Sequence, residues 1–152
     1  MKHLALVLVG LLLVVSSSCK KNNVSTKTNT EKLTAKVWMV SEVSSTGGLV
    51  VVYKRDLANN GYDLSKVRLE FLANGTLRGV DNNGNTSTSG TWKFVNNETQ
   101  IEISGINFAG ITFGTITVTR LEDANFDFTG TASIPQLGIP STDATVKMIP
   151  AS

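Results

Sequence analysis

The chain has 152 residues, of which 41% are hydrophobic and 17% charged, and its 14 basic and 12 acidic side chains leave a formal net charge of +2. Basic residues so scattered give no electrostatic footprint for a nucleic acid partner. Cys19 and His3 are the only cysteine and histidine in the chain, which excludes disulfides, a cysteine or histidine catalyst beyond residue 19, and the usual zinc and copper ligand sets.

In chain order, Lys2 precedes the apolar run Leu4 to Val15, and Ser16, Ser17 and Ser18 lead into Cys19. Charge, apolar stretch and small residues in that order predict an export signal over residues 1–18. The apolar run is too short to span a bilayer permanently. Small residues directly before a cysteine resemble the cleavage box of bacterial lipoproteins, in which the thiol receives a diacylglycerol and a peptidase cuts before it. That resemblance implies a membrane anchor of fatty-acyl chains, such as palmitate, on Cys19. After cleavage 134 residues remain, with 13 basic and 12 acidic side chains, enough for one domain with its own core.

Residues 19–30 read as the lipidated cysteine and a flexible tether, because Lys, Asn, Ser and Thr with one Val bury nothing. The domain proper spans 31–152. One short helical turn is expected around Thr30 to Lys36, with Thr30 as its cap. From Val37 onward the period is two. Val67, Leu69 and Phe71 alternate with Arg68 and Glu70; Ile101 and Ile103 flank Glu102; Ile116 and Val118 sit among threonines; Phe126 and Phe128 bracket Asp127; Val146 and Met148 bracket Lys147. Val37 to Val43, Leu49 to Lys54, Gly75 to Val80 and Gly90 to Phe94 are rich in β-branched and aromatic residues. Asn74-Gly75 and Asp81 to Gly84 supply turns.

About nine antiparallel strands with one apolar face must curl or stack to hide their edges. The predicted fold is therefore all-β: an eight- to nine-stranded up-and-down barrel first, a sandwich second.

Several segments together resemble the lipocalin-like lipoproteins of the Bacteroidota. They are Leu33 to Trp38, Val67 to Phe71 followed by Asn74-Gly75-Thr76, Ser89 to Phe94, and Ile116 to Leu121 before Phe126-Asp127-Phe128. The resemblance implies a calycin-type barrel that leaves room for an apolar cavity, and names no ligand. It also suggests the periplasmic face of the outer membrane, since neither Asp at the position of Lys20 nor acidic residues among Lys20 to Asn23 redirect the lipoprotein.

Metal, cofactor and catalytic chemistry find little support. Asp81, Asn83 and Asn85 offer alternating oxygens, yet Thr86 and Trp92 stand where a calcium loop needs Gly and Glu. Glu98 and Glu102 read as surface charge rather than an acid/base pair. The candidate ligand-lining set is Trp38, Phe71, Trp92, Phe94, Phe126 and Phe128, all predicted to point inward, where they line an apolar site or form a packed core. Ser104 to Gly114 is too apolar for an ordinary loop and reads as an extra hairpin completing the sheet or a flap over the barrel mouth. Two functions follow, neither catalytic: a barrel that binds a small apolar ligand, or a filled barrel that contacts an envelope partner the sequence does not name.

Overall fold

The computed structural model describes residues 26–45, 48–108, 111–112, 114–134 and 139–152; residues 1–18 and Cys19 lie outside the described residues. Helix α1 (Asn29–Thr34) is followed by β1 (Val37–Ser45), β2 (Val51–Lys54), β3 (Arg68–Phe71), β4 (Thr76–Val80) and β5 (Thr86–Val95). Then come β6 (Gln100–Ser104), the two-residue strands β7 (Asn107–Phe108) and β8 (Ile111–Thr112), β9 (Thr115–Leu121), β10 (Phe126–Ile134) and β11 (Ile139–Pro150).

Eight of these strands, β1, β3, β4, β5, β6, β9, β10 and β11, form a closed antiparallel barrel, with β2 as one added strand. Closure comes from β1 against β11, in register from Trp38 opposite Pro150 to Ser45 opposite Ala144. The barrel expectation holds, and all nine predicted strands are present in the main sheet.

Among the differences from the sequence reading, three shape the ends of the barrel. The helix begins earlier because Thr28, not Thr30, is the cap: Thr28 Oγ1 accepts from Glu31 N, and the Glu31 carboxylate accepts from Thr28 N at 2.7 Å. A Glu three residues after the capping Thr completes that reciprocal box, so the tether ends before residue 28. The strand expected over Leu49 to Lys54 starts only at Val51, because Gly48 turns at φ 72° and Ser45 takes Val50 as its hairpin partner. Finally, Ser104 to Gly114 does not complete the main sheet: among the described residues β7 and β8 pair with each other alone. Its root enters the barrel, since Ile106 is buried and its side chain occupies the space over Gly90.

β1 is unusual in sharing one edge between two strands. Val37–Met39 pair with β3, and Glu42–Ser44 pair with β2. Between them Ser41 bulges out of register, and the carbonyls there find loop partners. Ser41 O accepts from Arg55 N at 2.9 Å, and Val40 O accepts from the Arg55 guanidinium at 2.6 and 3.0 Å. Arg55 thus satisfies the edge groups that neither strand reaches. The long β2–β3 connection then sends Leu64 and Val67 into the core.

Outside the barrel, registered neighbours form a row of alternating charge across five strands: Lys54, Glu42, Lys147, Asp127 and Arg120. Lys147 Nζ lies 2.8 Å and Lys54 Nζ 3.8 Å from Glu42. The Lys147 hydrogen bond holds the Glu42 carboxyl below its usual range, against the opposing effect of burial. Asp127 goes the other way, pushed up chiefly by burial despite Arg120 and Lys147.

Two outcomes follow from this packing. Gly90→Ala places a Cβ 2.8 Å from the Leu77 carbonyl and 2.7 Å from Ile106 Cδ1, so chemical denaturation should show a loss of about 1–3 kcal/mol. Ile106→Ala restores only part of it, because the backbone contact remains. Since its folded pKa is lowered, Glu42 stabilises the fold above the unfolded carboxylate pKa, and that contribution disappears as pH falls through the folded value. Glu42→Gln should therefore lower stability at pH 7 by about 0.5–1 kcal/mol, and the gap to the parent should narrow as pH falls through the folded value.

Candidate functional site

Alternation along the strands sends Trp38, Phe71, Trp92, Phe94, Phe126 and Phe128 to the inner face, and the structure brings all six together. Phe126 sits at the centre, 5.7 Å from Trp38, 5.7 Å from Phe71 and 5.2 Å from Phe128 between ring centroids. Phe71 meets Trp92 at 5.5 Å, and Trp92 meets Phe94 at 5.5 Å. Four of these five contacts are edge-to-face, with interplanar angles from 61° to 87°, the arrangement favoured by the ring quadrupoles. Five of the rings are buried and Phe94 is half-buried. The five belong to one buried cluster that also holds Leu77, Ile101, Ile116 and Met148.

Each indole also has a fixed polar end. Trp38 Nε1 donates to Leu33 O at 2.8 Å and Trp92 Nε1 donates to Leu72 O at 2.9 Å. Leu33 belongs to α1 and Leu72 to the β3–β4 turn, so both rings are tied to the end of the barrel that the helix closes. Lys27 pairs with Asp123 at 2.9 Å, and Lys36 donates to the Asp123 carbonyl, which ties the segment flanking α1 to the β9–β10 turn.

The opposite end carries what the sequence reading missed. At the β1–β2 hairpin Leu49 is 90% exposed, Val50 57% and Val51 49%. Singly exposed apolar residues are ordinary, but three in succession at a hairpin tip are not. A signal for them was present in Gly47-Gly48-Leu49-Val50-Val51-Val52, where two glycines leave the first apolar residues too near a turn to be covered by a neighbour.

Other features resolve into structure. The Asp81 carboxylate accepts from Asn83 N, Asn85 N and Asn85 Nδ2 at 2.8–2.9 Å, so its oxygens organise the turn. Those bonds lower its pKa, that from the Asn85 side chain most. Glu102 pairs with Lys93 at 2.6 Å on the outer face. That pair stands with Thr91, Ser104 and Thr115 around a depression of about 460 Å³, and the Thr91 and Ser104 hydroxyls bond each other at 2.7 Å.

No protein-family model matches the chain, and no curated protein matches it. The barrel and its side chains are the basis for reading the site.

Because Phe126 touches three other rings, Phe126→Ala should cost about 3–5 kcal/mol in denaturant unfolding. Phe94→Ala, at the half-buried end of the aromatic series, should cost clearly less. Equal losses would show that the six rings do not form the graded cluster described.

Proposed function

We propose that this protein is a lipid-anchored, lipocalin-like barrel of the bacterial envelope that works as a non-catalytic interaction module and docks a partner on its β1–β2 hairpin. In this reading the signal over residues 1–18 is removed and acyl chains on Cys19 hold the protein on the periplasmic face of the outer membrane. Several chains are needed for stable attachment. The observation that carries the proposal is the contrast between the two sets of apolar side chains. The six aromatics that would line a ligand site are taken up by contacts with one another, whereas Leu49, Val50 and Val51 are left to solvent.

Contiguous apolar side chains left in water mark contact surfaces more often than singly exposed ones do. A ligand among Trp38, Phe71, Trp92, Phe94, Phe126 and Phe128 would have to part rings that already meet at edge-to-face distances. The tether supports the same arrangement. It joins the barrel at α1, and β1 is nine residues long, or about 30 Å at strand rise, so the hairpin stands well away from the anchor.

Native mass spectrometry of the protein recovered from its own host's envelope tests both parts. The expected mass is that of residues 19–152 plus covalent acyl lipid, with nothing else bound. An additional small-molecule mass that disappears in a folded Trp92→Ala variant would replace this reading with the ligand carrier. A photo-crosslinker at Leu49 should give one discrete adduct in cells that is lost on Val50→Asp, while the same group at Thr131 gives none.

A further inference from the structure

The seam where β1 passes from β3 to β2 holds two arginines without a carboxylate of their own. Of the chain's four arginines, Arg78 pairs with Glu70 at 3.5 Å and Arg120 with Glu122 at 2.6 Å. Arg55 and Arg68 form no ion pair among the described residues, which include every Asp and Glu of the sequence. They are also neighbours. Arg55 Nη2 and Arg68 Nη1 both donate to the Ser65 carbonyl, at 3.4 and 2.8 Å. Both side chains are half-buried, and burial, followed by the adjacent Arg55 charge, lowers the Arg68 pKa.

Their hydrogen bonds leave donors over. Arg55 uses Nε and Nη2 on Val40 O and Ser65 O, and Arg68 uses Nη1 on Ser65 O and Val67 O. A guanidinium presents five N–H donors in a rigid fork, so Arg55 Nη1 and Arg68 Nε and Nη2 have no protein acceptor among the described residues. All of the acceptors in use are neutral carbonyls. Two like charges at this separation repel, more strongly as water is withdrawn, and the fold keeps them together because Arg55 satisfies the split edge of β1.

A depression of about 320 Å³ opens beside Arg55, walled by Tyr53, Leu57, Ala58, Asn60, Asp63 and Ser65 as well. Tyr53 is 1% exposed, so packing holds its ring in place at the wall. Asp63 is the only acidic residue in that wall, and its Oδ1 accepts from Ser65 N at 2.8 Å.

We propose that this notch is a binding site for an oxyanion, a carboxylate or a phosphate, held by the free N–H groups of Arg55 with the charge of Arg68 beside it. Arg55 Nη1 keeps two charged N–H donors for it, and charge-assisted bonds of that kind are the strong ones to either group. The site is independent of the hairpin reading, because a free anion fills it whether or not a partner docks on Leu49, and the two proposals therefore fail separately.

The test is a titration of the purified full chain with sodium phosphate, and separately with sodium acetate, at constant ionic strength, following the arginine Nε–Hε signals by NMR. Arg55 and Arg68 should shift and saturate, while Arg78 and Arg120 drift slightly without saturation. Arg68→Gln should weaken the affinity about threefold, the loss of a neighbouring positive charge rather than of a contact. Asp63→Asn keeps the acceptor for Ser65 N and removes the repelling charge, so it should tighten binding about threefold. Saturation with phosphate alone assigns the site to phosphate groups, and saturation with acetate alone to carboxylates. Four arginines that shift alike without saturation in both salts would overturn the proposal. An Asp63→Asn variant that binds no tighter, or more weakly, would overturn it even if Arg68→Gln does not fold.

Discussion

The rest of the structure depends on β1 being hydrogen-bonded along its whole length on both edges. One edge closes the barrel against β11; the other is divided between β3 and β2. A strand with three partners cannot run straight through the change of neighbour, and the bulge at Ser41 is where it adjusts. The carbonyl of Val40 would be an orphan at that point, which is costly in a half-buried seam. Arg55 removes the cost, and doing so brings a cation beside Arg68. The paired arginines are thus a consequence of how the barrel is joined to its extra strand.

The two ends of the barrel are built by different means. At the helix end, short turns and the six-residue α1 suffice, because Trp38 and Trp92 bury their rings while giving their N–H groups to the Leu33 and Leu72 carbonyls. One side chain then fills the core and satisfies a backbone acceptor together. The other end has no such device among the described residues. It is filled by side chains arriving from connections: Leu64 and Val67 from the β2–β3 loop, and Ile106 from the root of the small hairpin, with Gly90 leaving the room that Ile106 needs.

How much of this the sequence discloses depends on the range of the interaction. Period-two alternation is local, so Val67-Leu69-Phe71 and Phe126-Phe128 announce their strands and inner faces directly. Thr129 to Ile134 lacks bulky alternation and yet extends β10, because it pairs with the β11 residues from Ile139 to Thr145, a partnership that no window over one segment displays. The helix was readable, but its cap was misplaced by two residues because the Thr28–Glu31 box competes with Thr30. The charge row is wholly non-local: Lys54, Glu42, Lys147, Asp127 and Arg120 become neighbours only when register is set on five strands. Arg55 and Arg68 were invisible for the same reason, since nothing in either segment says that β1 changes partner between them.

That charge row also bears on how closure is specified. A barrel assembled from short strands rich in Thr and Val offers many near-equivalent registers, and a slip of one strand by one residue would turn that strand's inner side chains outward. With Glu42 between Lys147 and Lys54, the β11–β1–β2 seam is in register only when opposite charges face each other; a two-residue slip that kept the faces correct would set Glu42 opposite Thr145 or Ile149 instead. Exposed pairs are worth little in stability, so their value here is selectivity among registers that the apolar core alone would tolerate. Asp127 is consistent with that role. Burial raises its pKa even beside Arg120 and Lys147, so the row retains a carboxylate that contributes to alignment while adding little to the net stability of the barrel.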